Sequence, residues 1–244
     1  MPDRRTHRGA HPEDAESFHP RAHPALRAAV ADLSWLLTRH YAQPSALKIV
    51  GDRYNLTARQ RTAVMRCACS DYALASRLSR RIDEGALRDR TLLIDGYNVL
   101  TTIEAALSGG VLLHARDSTF RDMASIHGSY RKVEETTPAL ELAGQVLAEL
   151  KPARCIWYLD QPVSNSGRLK TIMMNAAEKR LWKWRVEIVA NPDALLIESA
   201  DPIASADSVI LDGCQRWFNL ARRIVTAKAP SANVVDLSDA ATGG

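Results

Sequence analysis

The stretch Thr91-Leu92-Leu93-Ile94-Asp95-Gly96-Tyr97-Asn98-Val99-Leu100 decides how the chain is read. Its apolar opening, residues 91–94, predicts a short buried strand that ends in an acid. Similar runs follow at Cys155–Asp160, Val186–Asn191, Pro202–Asp207 and Asn233–Leu237. Between them lie stripes at helical spacing. Leu140, Ala143, Val146, Leu147 and Leu150 form one; Leu169, Ile172, Met173, Ala177 and Leu181 another; Val209, Ile210, Cys214, Trp217 and Ala221 a third. Strands alternating with helices predict an α/β domain over 91–238, built on a doubly wound parallel sheet. Residues 101–136 carry no clear pattern.

Upstream the pattern changes. Residues 25–90 predict an all-helical domain, with Leu26, Val30, Leu33 and Leu37 at helical spacing. Pro44-Ser45 separates two helices. Thr57 and Gln60 match a capping box, in which each side chain satisfies the other residue's backbone donor. The pair of short helices with a break at Asn55-Leu56 resembles a helix-turn-helix. Arg59, Arg61 and Arg66 fall on or near its second helix, where they are candidates to meet phosphates or base edges; the plainer reading is a bundle with its arginines in water. Residues 1–24 hold four of the 11 prolines and four of the seven histidines, and predict a disordered tail. Residues 239–244 predict another.

Charge divides the chain at the same place. Residues 1–90 hold 16 Lys/Arg and 10 Asp/Glu, a net of +6, and residues 91–244 hold 16 and 18, a net of −2. This asymmetry predicts a basic module that meets a polyanion and an acidic module with a different task. No apolar run approaches the roughly 20 residues of a membrane helix, and no apolar stretch follows the basic N-terminus as a secretory signal requires. The expected compartment is the cytoplasm. Four scattered cysteines do not make a disulfide framework, and no C-x-x-C pair points to zinc.

Ligands of an open parallel sheet bind beyond the carboxyl ends of its strands. Asp95, Asp160 and Asp207 each end an apolar run, Asp212 follows close by, and Asp236 ends the last run. Each alone reads as a turn or cap residue. Together they predict a crevice of oxygen ligands for Mg²⁺ or Mn²⁺, since clustered carboxylates repel unless a hard cation neutralises them.

Three segments also carry a family resemblance. Ile94-Asp95-Gly96-Tyr97-Asn98 resembles the first strand of the PIN/NYN nuclease superfamily. Tyr158-Leu159-Asp160-Gln161-Pro162 resembles its second acidic strand end, and residues 205–212 resemble its T/S-x-D strand end leading into a helix. The domain order resembles an uncharacterised prokaryotic family with a helical module before a PIN-like domain. The resemblance implies a metal-binding acidic core of Asp95, Asp160 and Asp207, with Asn98 as accessory residue and Asp212 as a weaker match. The superfamily often supplies a further acid from a middle helix. Glu134, Glu135, Asp117 and Asp122 are the candidates, and the sequence does not choose among them.

Basic residues flank the acids. Arg168 and Lys170 fall in the first turn of a helix after Asp160, which Ser166 is expected to cap, and helix N-termini attract phosphate. Trp182 and Lys183, in a run that interleaves bases with aromatics, are candidates to follow and stack on a single strand; a packed Trp is the alternative. The leading expectation is a metal-dependent nuclease, a ribonuclease first. RNA is the expected partner, DNA the second choice, with no membrane. A non-catalytic nucleic-acid-binding or regulatory protein on a PIN-like scaffold is the alternative, and a phosphohydrolase of small nucleotides the third. The oligomeric state is open, a homodimer included.

Overall fold

The computed structural model describes residues 7–124 and 130–238. The expected tail at 239–244 and the first six residues of the expected N-terminal tail lie outside the described residues. Residues 7–24 correct the expectation of disorder. They contain a short helix α1 (Asp14–Ser17) and a 3₁₀ turn over Pro20–Ala22. Three anchors hold them: Phe18 enters the core of the helical region, Asp14 pairs with Arg59, and Arg8 pairs with the buried Glu104. A proline- and histidine-rich composition is overridden by these tertiary partners.

Four helices follow: α2 (His23–Thr38), α3 (Gln43–Arg53), α4 (Ala58–Cys67) and α5 (Asp71–Arg80). The capping box forms as expected, Gln60 N–H donating to the Thr57 hydroxyl at 3.2 Å and Thr57 N–H to the Gln60 side chain at 3.0 Å. Asn55 takes a left-handed φ of 49° at the break between α3 and α4. Leu26, Ala29, Val30 and Leu33 of α2 pack on Val50, Ala63 and Val64.

The α/β part comprises β1 (Thr91–Asp95), α6 (Gly96–Leu107), β2 (Leu112–His114), β3 (Phe120–Asp122), α7 (Thr136–Leu150), β4 (Arg154–Asp160), α8 (Ser166–Arg180), β5 (Trp184–Val189), α9 (Pro192–Glu198), β6 (Ile203–Ala204), α10 (Ser208–Gly213), α11 (Leu220–Lys228) and β7 (Val234–Asp236). The main sheet has four parallel strands in the order β5-β4-β1-β6. Leu92, Ile94, Cys155, Trp157 and Val186 meet α6, α7, α8 and α11 on one face. Leu93 and Ile156 meet α9 and α10 on the other. Covering both faces explains why these strands read as continuous apolar runs. Gly96 is required by a close approach: a Cβ there would lie 2.7 Å from the Tyr158 carbonyl and from the Leu159 side chain.

The expected strand at Asn233–Leu237 exists as β7 but belongs to a second sheet, ordered β3-β2-β7. Its partners β2 and β3 come from the stretch without a readable pattern. This small sheet also joins the two expected domains. Val111, Leu113, Ala115, Val235 and Leu237 share one apolar cluster with α2, α3 and α4, so residues 25–90 do not enclose a core of their own. Arg77 of α5 strengthens the join. It is buried, donates to Asp117 at 2.6 Å and to Asp212 at 2.7 Å, and its carbonyl accepts from the Trp217 indole. Cys67, Cys69, Cys155 and Cys214 are all buried free thiols. Among the described residues, no helix is long and apolar enough to cross a membrane.

Candidate active site

The four parallel strands deliver one carboxylate each to the carboxyl edge of the sheet. β1 ends in Asp95 and β4 in Asp160. Asp207 follows β6 at the N-cap of α10, and Asp193 follows β5 in the first turn of α9. The strands that lead to them lie side by side in the order β5, β4, β1 and β6. Their charges sense one another: Asp207 and Asp193 act on Asp95, and Asp207 and Asp160 act on Asp193. Among the described residues none of the four is in an ion pair.

Asp95 is the most deeply set, at 8% exposure. Burial pushes it up to about 7; hydrogen bonds from Ser205 and the Asn98 backbone oppose this, and the negative charges of Asp207 and Asp193 add to it. Burial also raises Asp160 and Asp193, the latter with help from Asp207 and Asp160. Hydrogen bonds fix the deep end of the group. The Ser205 hydroxyl donates to Asp95 at 2.7 Å and accepts from Asp207 N–H at 3.0 Å. Asn98 N–H reaches Asp95 at 3.4 Å, and its side-chain oxygen accepts from Ala206 N–H at 2.8 Å. The β1–α6 and β6–α10 turns are thereby tied together, with Asp95, Asn98, Ser205 and Asp207 as one network.

Asp95 and Asp207 also act as caps, accepting from Asn98 N–H and from Val209 N–H respectively. The plain turn-residue reading is therefore true of both, and the clustering is additional to it. Asp193 escaped the sequence reading. Its signal is present, since Pro192-Asp193 directly follows the apolar run Val186–Asn191.

Asp212 corrects the expected ligand set. It is held in a two-point pair by Arg77, at 2.7 and 2.9 Å, which neutralises it and commits it to the join with α5. Of the four acids left open, Asp117 is buried between Arg77 and Arg121. Glu134 and Glu135 face His7. Asp122 remains, carried on β3 rather than on a helix. It lines a cavity of about 500 Å³ with Asn98, Asp207, Arg66 and Arg121.

The basic candidates divide sharply. Arg59 is paired with Asp14. Arg61 holds Asp52 at 2.8 Å and the Leu56 carbonyl at 3.0 Å. Arg66 donates to the carbonyls of Asp122 and Ala124. Arg59 and Arg61 are used to build the helical region and Arg66 to join it to the end of β3, which corrects their reading as an outward binding face. Trp182 stacks on Trp184 with ring centroids 4.6 Å apart and covers Gly144, so it packs instead of waiting for a base. Trp182 and Lys183 precede β5 and so lie at the amino edge of the sheet, opposite the acids; this corrects both. Arg168 and Lys170 do lie on the acid side, in the first turns of α8 after Asp160. Neither is engaged with another described residue. Ser166 does not cap α8. Asn165 occupies the cap, and the Ser166 hydroxyl sits 2.7 Å from the Asp160 carbonyl and 2.6 Å from that of Val163.

Comparison with known proteins follows the same division. A family model described as Domain of unknown function (DUF5616) matches residues 84–223, more than half of the chain. The chain belongs to the DUF5616 family. In this DUF5616 protein a second model, Protein of unknown function (DUF434), matches residues 25–80, the helical region. The uncharacterized protein MJ0935 of Methanocaldococcus jannaschii is 28% identical over 189 residues, which cover 77% of this chain and 89% of the relative. No solved structure matches the chain. The DUF5616 match takes in all four edge aspartates and stops short of β7.

Proposed function

We propose that the protein is a metal-dependent phosphodiesterase of the PIN-like type, cutting RNA, with its reaction centre at the carboxyl edge of the main sheet. One observation carries this reading: an aspartate ends or closely follows each strand of the sheet, and among the described residues no cationic side chain pairs with any of the four. The donor set suits a hard divalent cation, being all oxygen and containing a buried Asp95 without a counter-charge. Among the described residues no three such groups already stand close enough to enclose an ion. Asp95, Asp160, Asp193 and Asp207 would hold it, and the ion would polarise a phosphoryl oxygen and acidify a bound water. The RNA preference comes from the PIN/NYN resemblance, and the view of the sheet as doubly wound from the alternation of strands and helices.

The chain's own residues supply positioning. Ser205 and Asn98 keep Asp95 and Asp207 in fixed orientations. Arg168 and Lys170, on the positive end of α8, offer free cations for the backbone of a strand approaching Asp160. The test is incubation of the full chain with labelled single- and double-stranded RNA and DNA, in Mn²⁺ or in EDTA. Cleavage of RNA in Mn²⁺, absent in EDTA and absent from Asp95→Asn, is expected. Cleavage by Asp95→Asn at the wild-type rate would remove the proposed centre.

A further inference from the structure

The cavity of about 500 Å³ beside the acids is lined by α4, α6, β3 and the turn into α10. Its volume is typical of small-molecule sites. Its cations are already committed. Every Arg66 contact goes to a backbone carbonyl, of Asp122 or Ala124. Arg121 donates to Asp117 and to the carbonyls of Ala206 and Arg66. A phosphate entering here would find no free guanidinium and would face Asp122 and Asp207.

Asp122 is the unusual wall. Its Oδ1 accepts from Ala124 N–H at 2.8 Å. Its Oδ2 lies 3.2 Å from both the Thr101 and the Thr102 hydroxyls. Each hydroxyl has one proton, and each has a nearer acceptor: the Tyr97 carbonyl at 2.8 Å for Thr101 and the Asn98 carbonyl at 2.9 Å for Thr102. Both bonds to Oδ2 are longer than the hydroxyls' bonds to the carbonyls, and no cation pairs with Asp122 among the described residues. The cavity presents a carboxylate whose charge no cation answers. Met65, 37% exposed, adds an apolar, polarisable wall at the mouth.

We propose that this cavity binds a nucleobase of the substrate strand and that Asp122 reads a guanine, whose ring N–H and adjacent amino group present two neighbouring donors to one carboxylate. The base-reading role rests on the phosphodiesterase reading of the neighbouring acids; the cavity shares Asn98 and Asp207 with them. Single-stranded bases are commonly read on this edge. A site built to satisfy donors rejects an analogue lacking one, because its acceptor is then left unpaired.

The test needs neither metal nor cleavage. The full chain is titrated calorimetrically with guanosine, inosine and adenosine in EDTA. Guanosine should bind at least about tenfold tighter than inosine, which lacks the amino group, and tighter still than adenosine, which lacks the ring N–H. Asp122→Asn should reduce guanosine affinity by about tenfold or more while keeping an acceptor oxygen for Ala124 N–H. Met65→Trp, at an exposed position, should block all three nucleosides and serves if the first variant does not fold. Equal affinities for the three, or guanosine binding that survives both substitutions, overturns the proposal. So does inorganic phosphate binding tighter than guanosine, or Mn²⁺ displacing guanosine in an Asp122-dependent way. Guanosine binding in a protein that cuts no RNA would uphold the pocket and reject the phosphodiesterase reading alone.

Discussion

Asp95 and Asp117 are both buried, at 8% and 1% exposure, yet their surroundings are opposite. Burial raises both. At Asp117 the charges of Arg121 and Arg77 overcome it and hold the carboxyl below its usual range. At Asp95 nothing cationic answers, and the carboxyl stands near 7. The Asp117 cluster joins α5 to the rest of the molecule and is internally neutralised. The Asp95 edge is left with a charge deficit that the fold does not repair. At Asp117 the fold supplies the counter-charge; at Asp95 it supplies only hydrogen bonds from Ser205 and the Asn98 backbone.

The contrast is broken most forcefully by removing a counter-charge. Arg77→Met should cost about 3–5 kcal/mol, because a buried ion-pair network loses a cation: Asp117 keeps only Arg121 and Asp212 keeps none. Urea unfolding checks this, and adding Asp117→Asn should return part of the loss. Less than about 1 kcal/mol for the single change would mean that the cluster behaves as a surface pair.

Asp95→Asn should act with the opposite sign. The folded carboxyl at about 7 lies above the unfolded value of about 3.9, so the fold holds the proton more tightly than the unfolded chain does. The contribution of Asp95 to stability should be greatest below about pH 4, fall as pH rises toward 7, and then level off, by at most about 4 kcal/mol. Asn removes that dependence. The variant should therefore gain on wild type between pH 5 and pH 8 in matched urea melts; a gap that does not widen would put Asp95 in better-solvated surroundings.

Mn²⁺ should narrow the contrast by supplying the missing charge. At 100 times its dissociation constant a bound ion adds about 2.7 kcal/mol to stability. The gain should appear in thermal melts of wild type, be larger at pH 8 than at pH 6, and vanish in Asp95→Asn. Within the edge itself, Asp193→Asn should weaken Mn²⁺ about tenfold, or about 1.4 kcal/mol, whereas Asp212→Asn should leave ion affinity unchanged. Equal effects would erase the division between paired and unpaired acids.

The smallest effect concerns the cations. Arg168→Ala with Lys170→Ala should reduce the log–log salt slope of RNA binding by about 1.4, at about 0.7 per phosphate. Replacing Arg59, Arg61 and Arg66 should leave the slope unchanged and lower the melting temperature. Binding is measured in the Asp95→Asn background, and a flatter slope in the second set would return those arginines to the interface.

The edge was legible because it obeys a local rule: an apolar run followed by an acid. Asp95, Asp160 and Asp207 each end such a run, whereas Asp193 stands two residues beyond the run at 186–191, after Pro192. Pairing was not legible. Arg77 meets Asp212 across 135 positions, and no local pattern announces such a contact. The same holds for strand membership. Val234–Asp236 reads as a strand, but its place beside β2 depends on a partner of three residues inside an unpatterned stretch. Arg59 and Arg61 were misread for a simpler reason, since a basic helical face looks the same whether its charges reach solvent or Asp14 and Asp52.

The apolar cluster that unites α2, α3 and α4 with Val235 and Leu237 has a consequence for synthesis. A ribosome releases the three helices long before it has made β7. Throughout that interval their apolar faces lack the residues that finally cover them, and the pairing of β7 with β2 closes the structure late. A chain halted before residue 234 would leave the ribosome with most of its elements made and one side of this cluster open. The nascent protein is then most exposed to sticking and to proteases just before its last strand arrives.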